Sequence, residues 1–303
     1  MTYCVGLLLN EGMVCLSDTR TNAGLDNIST YRKMFHFEEP GERVITIMTA
    51  GSLSITQTTL ARLREAIEDP EATEETSIMK APTMLKVASI IGGMLSTVRG
   101  EVDEKLASMR QAATASMIVA GQRKGGAMRL FLIYPEGNFI EATEDTPFLQ
   151  IGEHKYGKPI LDRVVKMATP LADAEKAVLL SMDSTLRSNL SVGMPLDLCV
   201  IKRDECKVTR QRRIEAGALE LAVDVAGEHG HAARHLLAPA SQQPKSGMRH
   251  GGAVQRQAVA VEAPGQRRIA PEGLGRGHLG ELQPAGAERR VGAPETAVAA
   301  EVR

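Results

Sequence analysis

The chain opens with two apolar runs, Thr2 to Leu9 and Met13 to Asp18, separated only by Asn10-Glu11-Gly12. A short break of this composition between extended runs is a hairpin signal, because Asn and Gly accept the turn conformations that fold one strand back onto the other. Both alternating sets of positions are largely apolar, so this sheet is expected to be covered on both faces. Ser29 to Phe37 and Arg43 to Ala50 read as further strands around the Pro40-Gly41 turn. From Ser52 to Glu68 the period changes, and Ile55, Leu60, Leu63 and Ile67 share one side of a predicted helix. Pro82 opens a longer helix in which Leu85, Ala88, Ile91, Leu95, Val98 and Val102 recur at helical spacing. These stripes are packing surface, and Gly92-Gly93 among them predicts a close approach by another segment.

The second half repeats the theme. Ala112 to Gly121 and Met128 to Tyr134 form a hairpin around Lys124-Gly125-Gly126, and Phe139 to Ile151 continues in short strands. Pro159 and Thr169-Pro170 stand where helices begin, and Leu171, Ala174, Val178, Met182 and Leu186 line one face of the second. Leu196 to Lys202 and Lys207 to Arg212 follow as strands. Two hairpin-rich groups of strands, each supplying a pair of helices, predict an α/β domain of stacked sheets with helices outside, over residues 1–216.

Residues 217–303 differ in kind. They hold 37 Ala, Gly or Pro among 87 positions, five of the seven His, and none of the Phe or Tyr. A short helix near Ala218 to Val225 is the one local pattern in them. A segment of this composition buries too little apolar surface to offset its ordering entropy, so it is read as a disordered tail. Either a natural flexible tail or out-of-frame translation of a GC-rich gene would give this mixture, and neither carries an identifiable function. His229, His231 and His235 lie in it and read as incidental composition, not metal ligands.

Charge removes some functions. With 36 Lys and Arg against 37 Asp and Glu, the chain lacks the basic excess of a nucleic-acid binder. No apolar run approaches the roughly 20 residues that cross a bilayer, and the N-terminus lacks a secretory leader. Cys4, Cys15, Cys199 and Cys206 show no CxxC spacing. Together these predict a soluble cytoplasmic protein with reduced thiols, no membrane partner and no nucleic acid.

The candidate chemistry lies at the start. Thr2 follows Met1 directly, and a small residue there normally permits removal of the methionine. That would put a hydroxyl nucleophile and a base on one residue, since an α-amine has a pKa of about 7.7 to 8.0. Folding residues 2–18 about Glu11 returns Asp18 and Arg20 to the neighbourhood of Thr2, and Lys33 on the next strand reaches the same edge. An ammonium group held there by Asp18 would favour the ionised hydroxyl. His36 and His154 have no third partner for a serine-hydrolase triad, and Cys4 reads as a small buried core residue.

Thr2, Asp18-Thr19-Arg20-Thr21-Asn22-Ala23-Gly24, Lys33 and Ala50-Gly51-Ser52 together resemble the proteasome β-subunit pattern of N-terminal nucleophile hydrolases. The opening through Phe35, with Ile151-Gly152-Glu153-His154-Lys155-Tyr156-Gly157-Lys158-Pro159, looks most like the bacterial proteasome-like branch called Anbu. The resemblance implies a four-layer α/β/β/α sandwich and a threonine peptidase that cleaves peptide bonds through an acyl-enzyme. Residue by residue, it implies Thr2 as nucleophile, its amine as proton acceptor, Lys33 lowering the hydroxyl pKa and Asp18 orienting Lys33. The Gly51 N–H would meet the oxyanion, and Arg20, Thr21, Asn22 and Gly24 fall where a peptide substrate is paired. Ser191 matches a serine that supports the amine. The sequence departs from the pattern twice: Glu153 stands where a second supporting serine is usual, and Ser188 where proteasomes carry Asp. Glu153 would either weaken the amine as a base by favouring its protonated form, or relay the proton itself. The alternative reading is a self-assembling scaffold of the same fold with little proteolysis. Homo-oligomeric rings or open ring-like assemblies and a peptide or unfolded-protein substrate are implied. No metal or organic cofactor is implied, and the sequence identifies no ATPase partner.

Overall fold

The computed structural model describes residues 2–22, 27–106 and 113–216. The expectations for residues 217–303, and the position of Gly24, lie outside the described residues.

Strands β1 (Tyr3–Leu8) and β2 (Gly12–Asp18) form the opening hairpin, with Cys4 opposite Ser17 and Leu8 opposite Met13. Short strands β3 (Arg20–Asn22) and β4 (Ile28–Thr30) pair with each other, and β5 (Met34–Glu39) and β6 (Arg43–Gly51) form the next hairpin. Helices α1 (Leu53–Glu68) and α2 (Met84–Leu106) follow. Then come β7 (Ala115–Arg123), β8 (Arg129–Ile133), β9 (Phe139–Glu141) and β10 (Phe148–Gly152). Helices α3 (Lys158–Val164) and α4 (Leu171–Ser188) and strands β11 (Leu196–Lys202) and β12 (Arg210–Ile214) complete the order. One sheet runs β10-β1-β2-β11-β12 and the other β5-β6-β7-β8-β9.

Strand alternation sorts the apolar residues into three cores. Tyr3, Val5, Leu7, Val14, Leu16, Leu198 and Val200 face α3 and α4. Ile45, Ile47, Met117 and Val119 face α1 and α2. The opposite faces of both sheets meet in a middle core that includes Cys4, Met13, Cys15, Met48, Ile118, Leu130 and Cys199. Both faces of β1 and β2 are buried throughout, which is why these strands read as continuous apolar runs instead of an alternation. A fully buried Leu or Ile contributes roughly 1.5–3 kcal/mol, so the three cores hold the layers without disulfides.

Three details differ from the sequence reading. The single strand expected over Ser29 to Phe37 is two, because β4 joins β3 while β5 joins β6. Between them Tyr31 donates to the Thr19 carbonyl at 2.8 Å, and the Lys33 carbonyl accepts from Thr49 N–H at 2.9 Å, so the chain changes sheet over these residues. The short strands expected over Phe139 to Ile151 also divide, with β9 on the edge of one sheet and β10 on the edge of the other. Of the glycine pair in α2, only Gly92 makes a close approach: a methyl group there would lie 2.1 Å from the Gly137 carbonyl oxygen, whereas Gly93 faces open space.

Candidate active site

The hairpin register decides where the first residues lie. Because Cys4 stands opposite Ser17, Asp18 reaches the head of β1, and its Oδ1 accepts the Tyr3 N–H at 3.0 Å. Lys33 donates to the same oxygen at 2.7 Å and to the Arg20 carbonyl at 2.6 Å. Asp18 Oδ2 accepts the Gly193 N–H at 3.3 Å. Asp18 is wholly buried and Lys33 is 6% exposed. Burial pushes the Asp18 carboxyl up from its ordinary range, and the Lys33 ammonium and the two N–H donors oppose that rise without cancelling it.

Thr2 sits beside this pair at the head of β1, 8% exposed. Its carbonyl accepts the Glu153 N–H at 2.7 Å, which fastens β1 to the end of β10. Tyr3 turns its phenol to Ser181 on α4, anchoring the next residue in the helix-facing core. A cleft of about 280 Å³ is lined by Thr2, Thr21, Asn22, Lys33, Ala50 and Gly51 among others. The arrangement puts a threonine and an ammonium group on one cavity wall, with a buried carboxylate fixing the ammonium from behind. A cation so placed stabilises negative charge developing on a nearby oxygen.

Gly51 closes β6 at φ +104°, a left-handed conformation, and a methyl group there would lie 2.3 Å from the Thr114 carbonyl oxygen. Only glycine fits this wall of the cleft. Thr21 and Asn22 border the cleft on β3. The Arg20 side chain turns the other way, and Nη1 donates to the Leu190 carbonyl at 2.9 Å.

Glu153 is buried, and its carboxylate accepts the Lys155 N–H at 2.8 Å and the Asn189 side-chain amide at 2.8 Å. Burial would raise its pKa, but these donors, the His154 N–H and the Lys155 charge together outweigh that and hold it below the usual carboxylate range. Ser191 is half-buried, with its N–H on Asn189 Oδ1 at 2.9 Å. Ser188 is the exposed last residue of α4. His36 bonds Thr46 Oγ1 at 3.0 Å in the half-buried β5–β6 hairpin, and His154 is exposed. Among the described residues no group of three or more His, Cys, Asp or Glu is placed to hold a metal, and no helix is long and apolar enough to cross a membrane.

Sequence reasoning passed over Gly193 and Asn189. Gly193 reaches Asp18 across 175 positions and Asn189 reaches Glu153 across 36, and no local pattern announces contacts of that kind.

Two antiparallel sheets stacked between helix pairs, with a threonine at the head of the first strand beside a buried Lys–Asp pair, define a proteasome-type α/β/β/α fold of the N-terminal nucleophile class. The proteasome subunit family matches residues 2–201, and the chain belongs to that family. Its solved relatives place it in the branch called Anbu, the ancestral β subunit. An Anbu Gly-1 mutant from Hyphomicrobium sp. strain MC1 is 46% identical, with 74% of this chain and 94% of that one covered at a TM-score of 0.67. Anbu from Yersinia bercovieri is 40% identical over 81% of this chain and 100% of its own, at a TM-score of 0.69. A helical assembly of the Anbu complex from Pseudomonas aeruginosa is 39% identical over 80% and 100%, at 0.68. No curated protein matches the chain.

Proposed function

We propose that this chain is a threonine peptidase that cleaves peptide bonds through Thr2 after removal of Met1. The observation that carries the reading is the Lys33–Asp18 pair, buried on the wall of the cleft that Thr2 also lines. In the proposed reaction the freed α-amine of Thr2 takes the hydroxyl proton, directly or through a water, as Oγ1 attacks the substrate carbonyl carbon. Lys33 stabilises the developing alkoxide, and the Gly51 N–H donates to the tetrahedral oxyanion. Collapse breaks the C–N bond, and the proton passes from the Thr2 ammonium to the departing amine. The resulting ester is hydrolysed when the amine deprotonates an attacking water, which restores Thr2.

An extended segment of peptide or unfolded protein would pair with the edge at Thr21, Asn22 and Gly24. Arg20 would act there through its carbonyl, which fixes Lys33. Ser191 and Ser188 would complete the polar surroundings of the amine. No cofactor enters the scheme. Self-association is proposed from the helical assembly of the Pseudomonas relative, and the site of action is proposed to be the cytoplasm.

The test is labelling of purified protein with an electrophile selective for N-terminal threonine, mapped by mass. An adduct on Thr2 that is lost in Lys33→Ala is expected. Correctly processed protein that takes no label would leave a scaffold of the same fold.

A further inference from the structure

We propose that Glu153 is a positioning residue that clamps the segment after α4, residues 189–193, against the nucleophile's strand, and so holds Asp18 and Lys33 in register with Thr2. The inference rests on the hydrolytic reading above and deepens it. Glu153 is the residue at which the two sides of the site meet. Its main-chain N–H holds the Thr2 carbonyl at 2.7 Å, and its carbonyl accepts the Gln150 side chain at 2.9 Å. Its carboxylate receives the Lys155 N–H on Oε1 and the Asn189 amide on Oε2.

Asn189 is the C-cap of α4, and its other side-chain atom, Oδ1, accepts the Ser191 N–H at 2.9 Å, while its carbonyl accepts the Val192 N–H at 3.1 Å. The turn so formed delivers the Gly193 N–H to Asp18 Oδ2, and the Gly193 carbonyl takes the Thr19 N–H at 3.4 Å. Each link in this path is a directional hydrogen bond with a definite donor and acceptor. A carboxylate at residue 153 can accept from both Lys155 and Asn189, whereas a serine is too short to span to the end of α4. Both carboxylate oxygens are engaged by donors, so the side chain serves as an acceptor platform.

The donor pattern makes the clamp testable by exchange of partners. In Glu153→Gln one acceptor becomes a donor: the new Nε2 meets either the Asn189 amide or, with the amide turned over, the Lys155 N–H, and flipping Asn189 only moves the first conflict to the Ser191 N–H. Adding Asn189→Asp restores the complement: one oxygen of the introduced carboxylate accepts from the new Nε2, and the other accepts from the Ser191 N–H. Asp18 is faced by the Lys33 ammonium and the Cys4 thiol, with Asp197 of β11 acting on the same cluster; the Arg20 guanidinium lies against Gly193 and also holds the Leu190 carbonyl, and Lys155 faces Glu153. The groups around Asp18, and Lys155, are unchanged in both variants.

The experiment measures amide hydrogen exchange at Lys155 and over residues 189–193, and the pH profile of Thr2 labelling, in wild type, Glu153→Leu, Glu153→Gln and the double variant. In Glu153→Leu, which removes both acceptors, exchange at Ser191 and Gly193 should accelerate at least about tenfold, the scale expected when a buried donor is left unmatched. In Glu153→Gln the unmatched donor is either in this segment or at Lys155. The acid limb of labelling should move to higher pH, because Asp18 loses a donor that lowers its pKa. Both effects should largely reverse in the double variant. Unchanged exchange and an unchanged acid limb in Glu153→Leu would overturn the clamp, as would a Glu153→Gln/Asn189→Asp variant no better than Glu153→Leu. If wild type takes no label, the peptidase reading falls, and exchange at Gly193 alone decides the clamp.

Discussion

Gly152 and Thr2 touch backbone to backbone: a methyl group in place of the Gly152 hydrogen would lie 2.0 Å from the Thr2 carbonyl oxygen. Residue 152 also sits at φ +86°, where an L side chain is strained. Gly152→Ala should therefore displace the head of β1 and cost about 2 kcal/mol or more of stability. Urea unfolding checks the second effect and the rate of Thr2 labelling the first. A variant that labels at the wild-type rate would mean that the strand head tolerates the shift.

Removing one member of the buried ion pair differs from removing both. Lys33→Met leaves Asp18 without a cation in a fully buried site, which typically costs about 3–5 kcal/mol. The double variant Lys33→Met/Asp18→Asn leaves no unpaired charge and should recover much of that loss while remaining unlabelled at Thr2. A double-mutant cycle by denaturant unfolding measures the coupling. Additive losses would place the two groups in independent environments.

Labelling should fall on acidification at a pH above that of an ordinary aspartate, near 3.9, because burial raises the Asp18 carboxyl and its protonation releases Lys33. Stability runs the other way for this group. Between about 3.9 and its raised folded value, the native state keeps a proton that the unfolded chain has lost, so stability declines as pH rises through that window. Asp18→Asn should abolish this slope. Urea midpoints of the two proteins from about pH 4 to about pH 6 test the sign.

A second cavity of about 340 Å³ adjoins the cleft and shares Thr49, Leu53 and Thr56 with it. Arg32 and Arg64 line it, and the Arg64 guanidinium lies over the Phe35 ring at 5.5 Å. Peptides that place an acidic side chain here should be cleaved roughly tenfold faster, as kcat/KM, than those that place a lysine, since like charges repel in the second case. Both arginines are exposed, so salt should narrow the gap. Arg64→Ala should narrow it as well. A series of amide substrates varied at that position would show the order, and a preference for lysine would overturn this expectation.

Much of this fold is legible because its information is local. The opening hairpin announces itself through Asn10-Glu11-Gly12, and its register alone carries Asp18 to the head of β1. The proline at position 170 and the spacing from Leu171 mark α4 in the same way. What the chain conceals is membership. Ser29 to Phe37 looks continuous, yet it crosses between sheets where Lys33 turns inward. Glu153 looks like a defect in a serine position until Asn189 is brought beside it by the packing of α4. A residue pattern reports periodicity, whereas the partner of a buried polar group depends on which layers stack.

The seam between the sheets is rich in sulfur: Cys4, Met13, Cys15, Met34, Met48, Met128 and Cys199 all lie in it. Burial pushes the Cys199 thiol up to about 12, so the thiolate that oxidants attack is scarce while the layers stay closed. The four methionines are sealed by burial instead, so peroxide would reach them only as fast as the sandwich parts, and sulfoxide appearing at Met13, Met34, Met48 and Met128 would serve as an internal clock for how often its two halves come open.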